Sequence, residues 1–292
     1  CTTGGTATVT NSTIANNTAS TSGGGVYAYG GTLTVTGGTI HDNSAATSGG
    51  GAGTGGTGTL NLTATAIRNN TAPSGAGVYS GAGTLKVRNS TISTNTATTT
   101  GGGVRVDGGT VTLGLTTVTE NQAPEGAGLY ANAGTTTPTS SIIAKNKTAA
   151  DTYGGDVKAV AGLTSGGGNI IGVGDLTAFT AQLDRSNITD PGLSTLQGDG
   201  THHLLSTSVA VDGGLCTVGG VTYTTDQLGQ PRPGGGGAFC DSGAYELQVL
   251  PPNCVAKSGA TTLTGPNARI VQQLVDQVSA GATIKVAGHC TG

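Results

Sequence analysis

The chain has 292 residues, of which 55 are glycine and only 9% are charged. Glycine and threonine are poor helix formers, so this composition argues against a helical globule. The net charge of −3 comes with no cluster of Lys and Arg, which argues against a nucleic-acid-binding surface. No stretch approaches about 18 consecutive apolar residues, so the sequence predicts no transmembrane helix.

A repeat of about 26 residues runs through the first half of the chain. One isoleucine or valine marks each repeat, at Ile14, Ile40, Ile67, Ile92, Val118 and Ile143. An asparagine follows three residues later in every repeat, at Asn17, Asn43, Asn70, Asn95, Asn121 and Asn146. A period that recurs this often is typical of one supersecondary unit stacked many times, so the repeat predicts a solenoid.

Each repeat contains three short strand patterns. In the first, Leu33 and Val35 alternate with threonine, as in a half-buried strand. The second carries the Ile/Val row, and the third follows a glycine cluster, as at Val26. We therefore predict an all-β, right-handed parallel β-helix with three-stranded coils of about 26 residues, the handedness following the rule for parallel crossovers. At roughly 4.8 Å per coil, about nine or ten coils before Glu246 would give a rod of about 45 Å.

The asparagine row predicts a ladder of amides that hydrogen-bond from coil to coil inside the solenoid. A buried amide needs such partners, because an unpaired polar group costs free energy when it leaves water. We therefore interpret these asparagines as structural residues rather than catalytic ones.

The period weakens after residue 150, and a set of distinct short motifs follows. They are Asp190–Leu193, Thr201–Leu205, Val211–Gly214, Asp226–Pro233 and Cys240–Glu246. Their order resembles the choice-of-anchor Q region that ends many secreted bacterial β-helix proteins, and the coil repeats resemble those of polymorphic outer membrane proteins. The resemblance implies an exported surface protein and no particular reaction, and Leu228 stands where that family usually has an arginine. We predict a β-helix domain with irregular closing coils over residues 1–247.

Residues 248–292 are predicted to form a C-terminal cap or assembly extension. An apolar stripe at helical spacing comprises Ile270, Val271, Leu274, Val275 and Val278. A strand pattern that contains Ile284 and Val286 follows it. A short helix followed by a strand resembles the cap that usually precedes the first coil of a β-helix.

The sequence begins directly in coil pattern, with Ala7 and Val9 at the inward positions of the first strand. We therefore expect head-to-tail assembly, in which the extension of one copy caps the first coil of the next. Two alternatives stay open: the extension packs on its own last coil, or the chain is one unit of a longer tandem polypeptide.

Four of the five cysteines lie late in the chain. Proximity favours the pairs Cys216–Cys240 and Cys254–Cys290 among three possible pairings. Cys1 is left over, as a lipid-modified terminus or as an intermolecular partner of Cys290. The chain has no methionine and no leader pattern, so we expect a processed or excised mature segment. Low charge and paired cysteines favour an oxidising, extracellular setting at the cell surface.

Candidate catalytic groups are scattered over the predicted coils. Polysaccharide lyases and hydrolases need carboxylates that converge on one cleft. The candidates are Asp107, Glu120, Glu125, Asp151 and Asp156, which fall at different coil positions. His202 and His203 have no further ligand at metal-binding spacing. We therefore predict no catalytic residue, no metal and no cofactor.

These patterns favour an extracellular, non-enzymatic structural protein, the protomer of a head-to-tail surface filament whose partner is another copy of itself. The alternative is a monomeric surface adhesin that binds glycan or a cell surface. A carbohydrate-active lyase or hydrolase is the third hypothesis.

Overall fold

A computed structural model of the protein describes residues 1–148, 155–234, 239–248, 254–265, 271, 274–275 and 282–287. The chain divides into two compact units. The first comprises Cys1–Pro233 and Gly237–Leu247, and the second comprises Gly234–Gly236 and Gln248–Gly292.

The first unit is a parallel β-solenoid with three parallel sheets, and its strands pair in register with a period of about 26 residues. The largest sheet contains β1 (Thr6–Ala15), β4 (Thr32–His41), β7 (Thr59–Thr63), β8 (Ala66–Arg68), β11 (Thr84–Arg88), β12 (Thr91–Ser93), β15 (Thr110–Gly114), β16 (Thr117–Thr119), β18 (Thr135–Thr139), β19 (Ile142–Ile143) and β21 (Ile170–Ile171). The second contains β3 (Val26–Ala28), β6 (Ala52–Thr54), β10 (Val78–Ser80), β14 (Val104–Val106), β17 (Leu129–Ala131) and β20 (Val157–Ala159). The third contains β2 (Thr18–Ala19), β5 (Ser44–Ala45), β9 (Thr71–Ser74) and β13 (Thr96–Thr100).

The predicted all-β parallel solenoid is therefore confirmed, and the first two predicted strand rows belong to one sheet. In the first two coils, β1 and β4 each run through both rows as one ten-residue strand. From the third coil onward the two rows are separate strands, with a corner residue such as Ala64 or Asn89 between them. This position has positive φ in the first two coils as well, at Asn11 and Gly37. Asparagine adopts this left-handed conformation more readily than most residues, which fits its frequency at the corners.

The core is a column of inward-facing aliphatic side chains stacked from coil to coil. Leu33, Leu60 and Leu85 follow one another in register, and Leu60 and Leu85 are fully buried. The alternation of apolar and polar residues sends every second side chain inward, which is how short strands poor in large residues still fill a core. Removal of this apolar surface from water stabilises the solenoid at about 25 cal/mol per Å².

The solenoid has about six turns, so the expectation of about nine or ten coils is wrong. Residues 172–187 form a shortened, irregular last coil, in which Gly174 still bridges Val157 and Arg185 bridges Ile170 in parallel. Phe179, from the middle of this segment, belongs to the core column. Phe179 is only 5% exposed, and Leu176 and Ala178 pack beside it. A bulky ring at this position ends the column because it covers the inward side chains on which another coil would stack.

Residues 188–233 and 239–247, termed the closing segment below, fold back along the outside of the coils. The segment contains the antiparallel pair β22 (Leu193–Leu196) and β23 (His202–Leu204), and the pair β24 (Thr217–Val218) and β25 (Val221–Thr222). Asn89 Nδ2 donates to the Thr225 carbonyl at 2.8 Å, and the Ala244 amide donates to Thr117 Oγ1 at 2.9 Å. We expected this segment to form irregular closing coils. It forms instead an outer layer that packs on the second strand row.

Outward isoleucines explain why this layer lies where it does. Ile142 and Ile170 pair in adjacent coils and are fully buried, although their neighbours Ile143 and Ile171 already fill the inner core. Leu193, Leu204 and Ala210 of the closing segment pack on Ile142 and Ile170. A strand with apolar side chains on both faces is stable only when other residues pack against each face, as in parallel sheets that are buried on two sides.

The second unit contains a three-stranded antiparallel sheet in the order β27–β26–β28. Its strands are β26 (Cys254–Ser258), β27 (Thr261–Gly265) and β28 (Lys285–Ala287). Val271, Leu274 and Val275 have helical backbone, and the rest of the predicted helix lies outside the described residues.

Candidate functional site

The six predicted asparagines form a continuous hydrogen-bonded ladder inside the solenoid. In each rung the backbone N–H and the Nδ2 of one asparagine donate to Oδ1 of the next, at 2.9–3.0 Å. Asn43 to Asn146 are buried, and Asn17 is exposed. Each buried Nδ2 also donates to a backbone carbonyl, as Asn95 does to Ile67 at 3.0 Å. The ladder therefore satisfies both amide protons without water.

The ladder has a direction and ends on a carboxylate. Every hydrogen bond between two of these asparagines runs from one coil to the next later one, so the last asparagine needs a further acceptor beyond it. Asp156 Oδ1 accepts from the Asn146 backbone N–H at 2.7 Å and from Asn146 Nδ2 at 2.9 Å. An ionised carboxylate only accepts hydrogen bonds, so it terminates this chain of donors without leaving one unpaired. Burial raises the pKa of Asp156, and hydrogen bonds from Val173 and Asn146 oppose that rise.

A second ladder, which the sequence analysis missed, follows the corner between the first two strand rows. The Thr65 N–H donates to Ser90 Oγ at 3.1 Å, and the Ser141 N–H donates to Asn169 Oδ1 at 3.0 Å. This ladder also ends on a carboxylate, because Asp184 Oδ1 accepts from both the N–H and the Nδ2 of Asn169 at 3.0 Å. Its signal in the sequence is a serine or threonine two residues before five of the six Ile/Val positions, the exception being Gly38 before Ile40.

The first coil presents the opposite arrangement. β1 pairs with β4 through Thr6–Ala15, and among the described residues no strand pairs with its other edge. The inward side chains of Ala7, Val9 and Ile14 are only partly buried, whereas the equivalent residues of later coils are fully buried. Within the described chain, Asn17 Oδ1 accepts no hydrogen bond from another coil. The first coil therefore exposes core, strand edge and ladder acceptor together.

A buried charged network holds the closing segment together. Arg232 Nη1 donates to Glu246 Oε2 at 2.6 Å, and the two side chains are 0% and 1% exposed. Arg232 also donates to the carbonyls of Asp241 and Gly243, and the Glu246 N–H donates to Asp226 Oδ2 at 3.0 Å. Burial lowers the pKa of Arg232, and the adjacent carboxylates oppose that effect. These charged residues of the Asp226–Pro233 and Cys240–Glu246 motifs thus form internal contacts.

The closing segment also contains a disulfide between Cys216 and Cys240, with a Cα–Cα distance of 5.1 Å. Cys1 is exposed and has no disulfide partner among the described residues. Of the predicted pair Cys254–Cys290, Cys290 and the side chain of Cys254 lie outside the described residues.

The predicted assembly residues of the second unit differ in exposure. Val275 and Val286 are 46% and 49% exposed, Ile284 is half-buried, and Leu274 is buried. Val271 is half-buried, and Ile270 and Val278 lie outside the described residues. Among the described residues of this unit, Val275 of the predicted helical stripe and Val286 of the edge strand β28 are the large apolar side chains exposed to solvent.

The candidate carboxylates have separate partners. Asp107 accepts from Arg105 and Asn132, and Asp156 ends the asparagine ladder. Asp151 lies outside the described residues, and Glu120 and Glu125 lie at corners of the coils. Among the described residues, no group of three or more His, Cys, Asp or Glu side chains is arranged to hold a metal ion.

The two histidines belong to the closing segment. His202 is buried, and its Nδ1 lies 2.9 Å from the Ser194 carbonyl, while burial lowers its pKa. His203 lies 2.7 Å from Asp199 and stacks on Tyr245 with ring centroids 4.3 Å apart. Both histidines therefore have structural contacts within this layer.

One solvent-facing cluster of polar and aromatic side chains lies on the outer face of the second sheet. Arg105 Nε donates to both oxygens of Asp107 at 3.0 and 2.9 Å, and its guanidinium lies 5.0 Å from the centre of the Tyr130 ring. Asn132 Nδ2 donates to Asp107 Oδ1 at 3.0 Å. Burial, with the charge of Asp107 and a hydrogen bond to it, raises the pKa of Tyr79 to about 12, so this phenol stays protonated at neutral pH.

The in-register parallel strands, the glycine corners and the internal ladders define a parallel β-solenoid. The model of the right-handed beta helix region family matches residues 1–170. This match covers more than half of the chain, so the chain belongs to that family. No curated protein and no solved structure gives a significant match to it.

Two observations bear on where the protein works. Within the described part of the chain, no helix is long and apolar enough to cross a membrane. The Cys216–Cys240 disulfide is typical of an oxidising compartment.

Proposed function

We propose that this protein is an extracellular structural β-helix that joins end to end, with the C-terminal unit of one copy docking on the first coil of the next. The observation that carries the proposal is the first coil itself. Its ten-residue strand β1 has an unpaired edge in the described chain, beside partly exposed core residues and the open acceptor of the ladder. An unpaired edge next to exposed core is the arrangement to which strands of other chains add.

The C-terminal unit supplies a suitable partner. Its strand β28 is an edge strand of a small antiparallel sheet, and it carries the exposed Val286. Pairing of an edge strand with β1 would satisfy backbone groups on both, and Val275 and Val286 would cover Ala7 and Val9. Because the two surfaces differ, the contact is heterologous and repeats without closing, which produces a filament.

An extracellular location and a non-catalytic role complete the proposal. The disulfide favours an oxidising compartment, and the closing motifs resemble those of exported bacterial surface proteins. Asp107 pairs with Arg105 and Asn132 at the solvent-facing side, whereas Asp156 is buried at the end of the asparagine ladder, which is unfavourable for a reaction that needs convergent acids. Incubation with pectic, alginate and xylan polysaccharides should release no new reducing ends and no unsaturated products. Release of either would favour the lyase or hydrolase hypothesis.

Assembly is tested on the full chain by negative-stain electron microscopy and analytical ultracentrifugation. We expect filaments from the wild-type chain and monomers after deletion of residues 252–292. The matched pair Val9→Asp and Thr8→Asp places the same charge on the inward and the outward side of β1. Val9→Asp should abolish filaments, and Thr8→Asp should retain them. Filaments that persist in the deletion variant, or a monomeric wild-type chain at high concentration, would exclude the proposal.

A further inference from the structure

The outer face of the second sheet carries a regular row of aromatic side chains, termed the tyrosine row below. Six positions follow one another in register along this face, one from each coil: Tyr27, Gly53, Tyr79, Arg105, Tyr130 and Lys158. Every second position is a tyrosine. Since neighbouring parallel strands lie about 4.8 Å apart, the three rings repeat every 10 Å or so along the solenoid axis.

Glycines lie next to two rings of this row, those of Tyr27 and Tyr79. A Cβ atom at Gly53 would lie 2.9 Å from two ring carbons of Tyr27, and one at Gly55 would lie 2.5 Å from the Tyr27 hydroxyl oxygen. A Cβ atom at Gly81 would lie 3.0 Å from the Tyr79 ring. The rings of Tyr27 and Tyr79 therefore occupy space that only glycine leaves open, and both are half-buried. A ring restrained in this way loses little conformational entropy when a ligand covers it.

Polar groups between the rings are connected through Asp107. It accepts from Arg105 and Asn132 and interacts with the Tyr79 hydroxyl, so the hydrogen-bonding groups beside Tyr79 and Tyr130 have fixed positions. The charges on this face are matched. Arg105 pairs with Asp107, and Lys158 Nζ lies 3.4 Å from Asp175 Oδ2. A charge-balanced surface with fixed donors and acceptors suits a hydroxyl-rich, uncharged ligand rather than a polyanion.

We infer that the tyrosine row binds a linear, uncharged, β-1,4-linked glycan that lies along the solenoid axis. In an extended β-1,4-linked chain, alternate sugars present the same face, and the disaccharide length is close to the spacing of the rings. One tyrosine can therefore stack on every second sugar, because the C–H face of a pyranose is apolar. The Arg105, Asp107 and Asn132 side chains then meet the hydroxyl groups of the intervening sugars.

The first coil extends this surface. Tyr27 and Tyr29 line a cavity of about 620 Å³ together with Thr3, Thr21 and Ser22, and Tyr29 is 58% exposed. The glycan site goes beyond the proposed structural role and does not depend on it, because Tyr79 and Tyr130 lie in the third and fifth coils.

The test is a titration of the full chain with cellohexaose and chitohexaose, with maltohexaose as the α-linked control. The chain has seven tyrosines and no tryptophan, so tyrosine fluorescence and calorimetry both report binding directly. We expect binding of at least one β-linked hexasaccharide and none of maltohexaose. Tyr79→Ala and Tyr130→Ala should each weaken binding about tenfold, the scale of one lost aromatic contact.

The control variant is Thr112→Ala, which removes a side chain from the outer face of another sheet and should leave binding unchanged. Circular dichroism establishes that each variant is folded, and saturation-transfer NMR on the wild-type chain gives a readout that needs no variant. The inference is overturned if no β-linked hexasaccharide binds at millimolar concentration, if both tyrosine variants bind normally, or if oligogalacturonate binds more tightly. Filament formation should be unaffected by Tyr79→Ala, so failure of this site and failure of the assembly proposal are distinguishable.

Discussion

The two ends of the solenoid are built from the same coil but finished differently. At the later end Phe179 covers the core, and Asp156 and Asp184 accept the last donors of the two ladders. At the first coil Ala7 and Val9 are partly exposed, and β1 has an unpaired edge in the described chain. Ending a β-solenoid at this later side thus takes two separate features, an apolar plug for the core and an acceptor-only group for each ladder. Among the described residues, neither feature is found at the first coil.

The plug at the later end should contribute most. Phe179→Ala leaves a cavity over the last inward residues, so we expect a loss of about 3–5 kcal/mol in the free energy of unfolding. The matched change at the first coil is Ile14→Ala, whose side chain is already partly exposed, and it should cost about 1–2 kcal/mol, less than a fully buried aliphatic truncation. Urea unfolding measures both. Equal losses at the two ends would show that Phe179 does not seal the column.

The ladder gives a second contrast, between its middle and its first rung. Asn95→Ala removes a buried side chain that donates to Asn121 and accepts from Asn70, and we expect a loss of about 3 kcal/mol because buried partners are left unpaired. Asn17→Ala lies at the exposed end and should cost less than about 1 kcal/mol. Thermal and urea unfolding of the two variants test this order. A reversal of the order would mean that the ladder does not stabilise the interior.

The carboxylate that ends the ladder can be tested with a nearly isosteric change. Asp156→Asn keeps one acceptor for Asn146, but it turns an NH₂ group toward the Val173 N–H, which now donates to Asp156 Oδ2 at 2.9 Å. Two donors facing each other leave one unpaired, so we expect a loss of about 1–3 kcal/mol. Asn121→Asp in the middle of the ladder provides the comparison. Asn121→Asp should cost more free energy of unfolding than Asp156→Asn. It buries a new charge, and the carboxylate cannot donate the hydrogen bond that Asn121 Nδ2 makes to Asn146 Oδ1.

The smallest predicted effect is a pH dependence from the closing segment. Burial lowers the pKa of His202 below its ordinary value of 6.5, despite the nearby charge of Glu120, which opposes the effect. The unfolded chain therefore binds a proton more readily than the folded one. The stabilisation by neutral His202 is fully present above pH 6.5 and is lost as the pH falls through the lowered pKa. His202→Gln should flatten the pH profile of the unfolding free energy between neutral and mildly acidic pH, and an unchanged profile would assign the dependence to other groups.

Much of the fold was predictable because it depends on local periodicity. The alternation at Leu33 and Val35 and the spacing of Ile40 from Ile67 place these residues on inner faces, and the structure agrees. The number of turns was not predictable from the motifs after residue 150. The outer layer itself could have been predicted from the paired isoleucines Ile142–Ile143 and Ile170–Ile171. A strand with apolar side chains on both faces needs a packing layer on each of them. The tyrosine row was missed because its members are 52 and 51 residues apart and only the stacking register brings them into line.

The repeat alone specifies a stack of short parallel strands, because a period of two within each strand and a period of about 26 between strands leave one arrangement that buries the apolar rows. The position of the last coil and the exposure of the outer faces follow from tertiary contacts instead. Those outcomes depend on contacts between residues far apart in the chain, such as Asn89 with Thr225 and Ser140 with Leu215. Local pattern specifies each coil, whereas the ends and the outer surface follow from how the non-repeating segments return to pack on the coils.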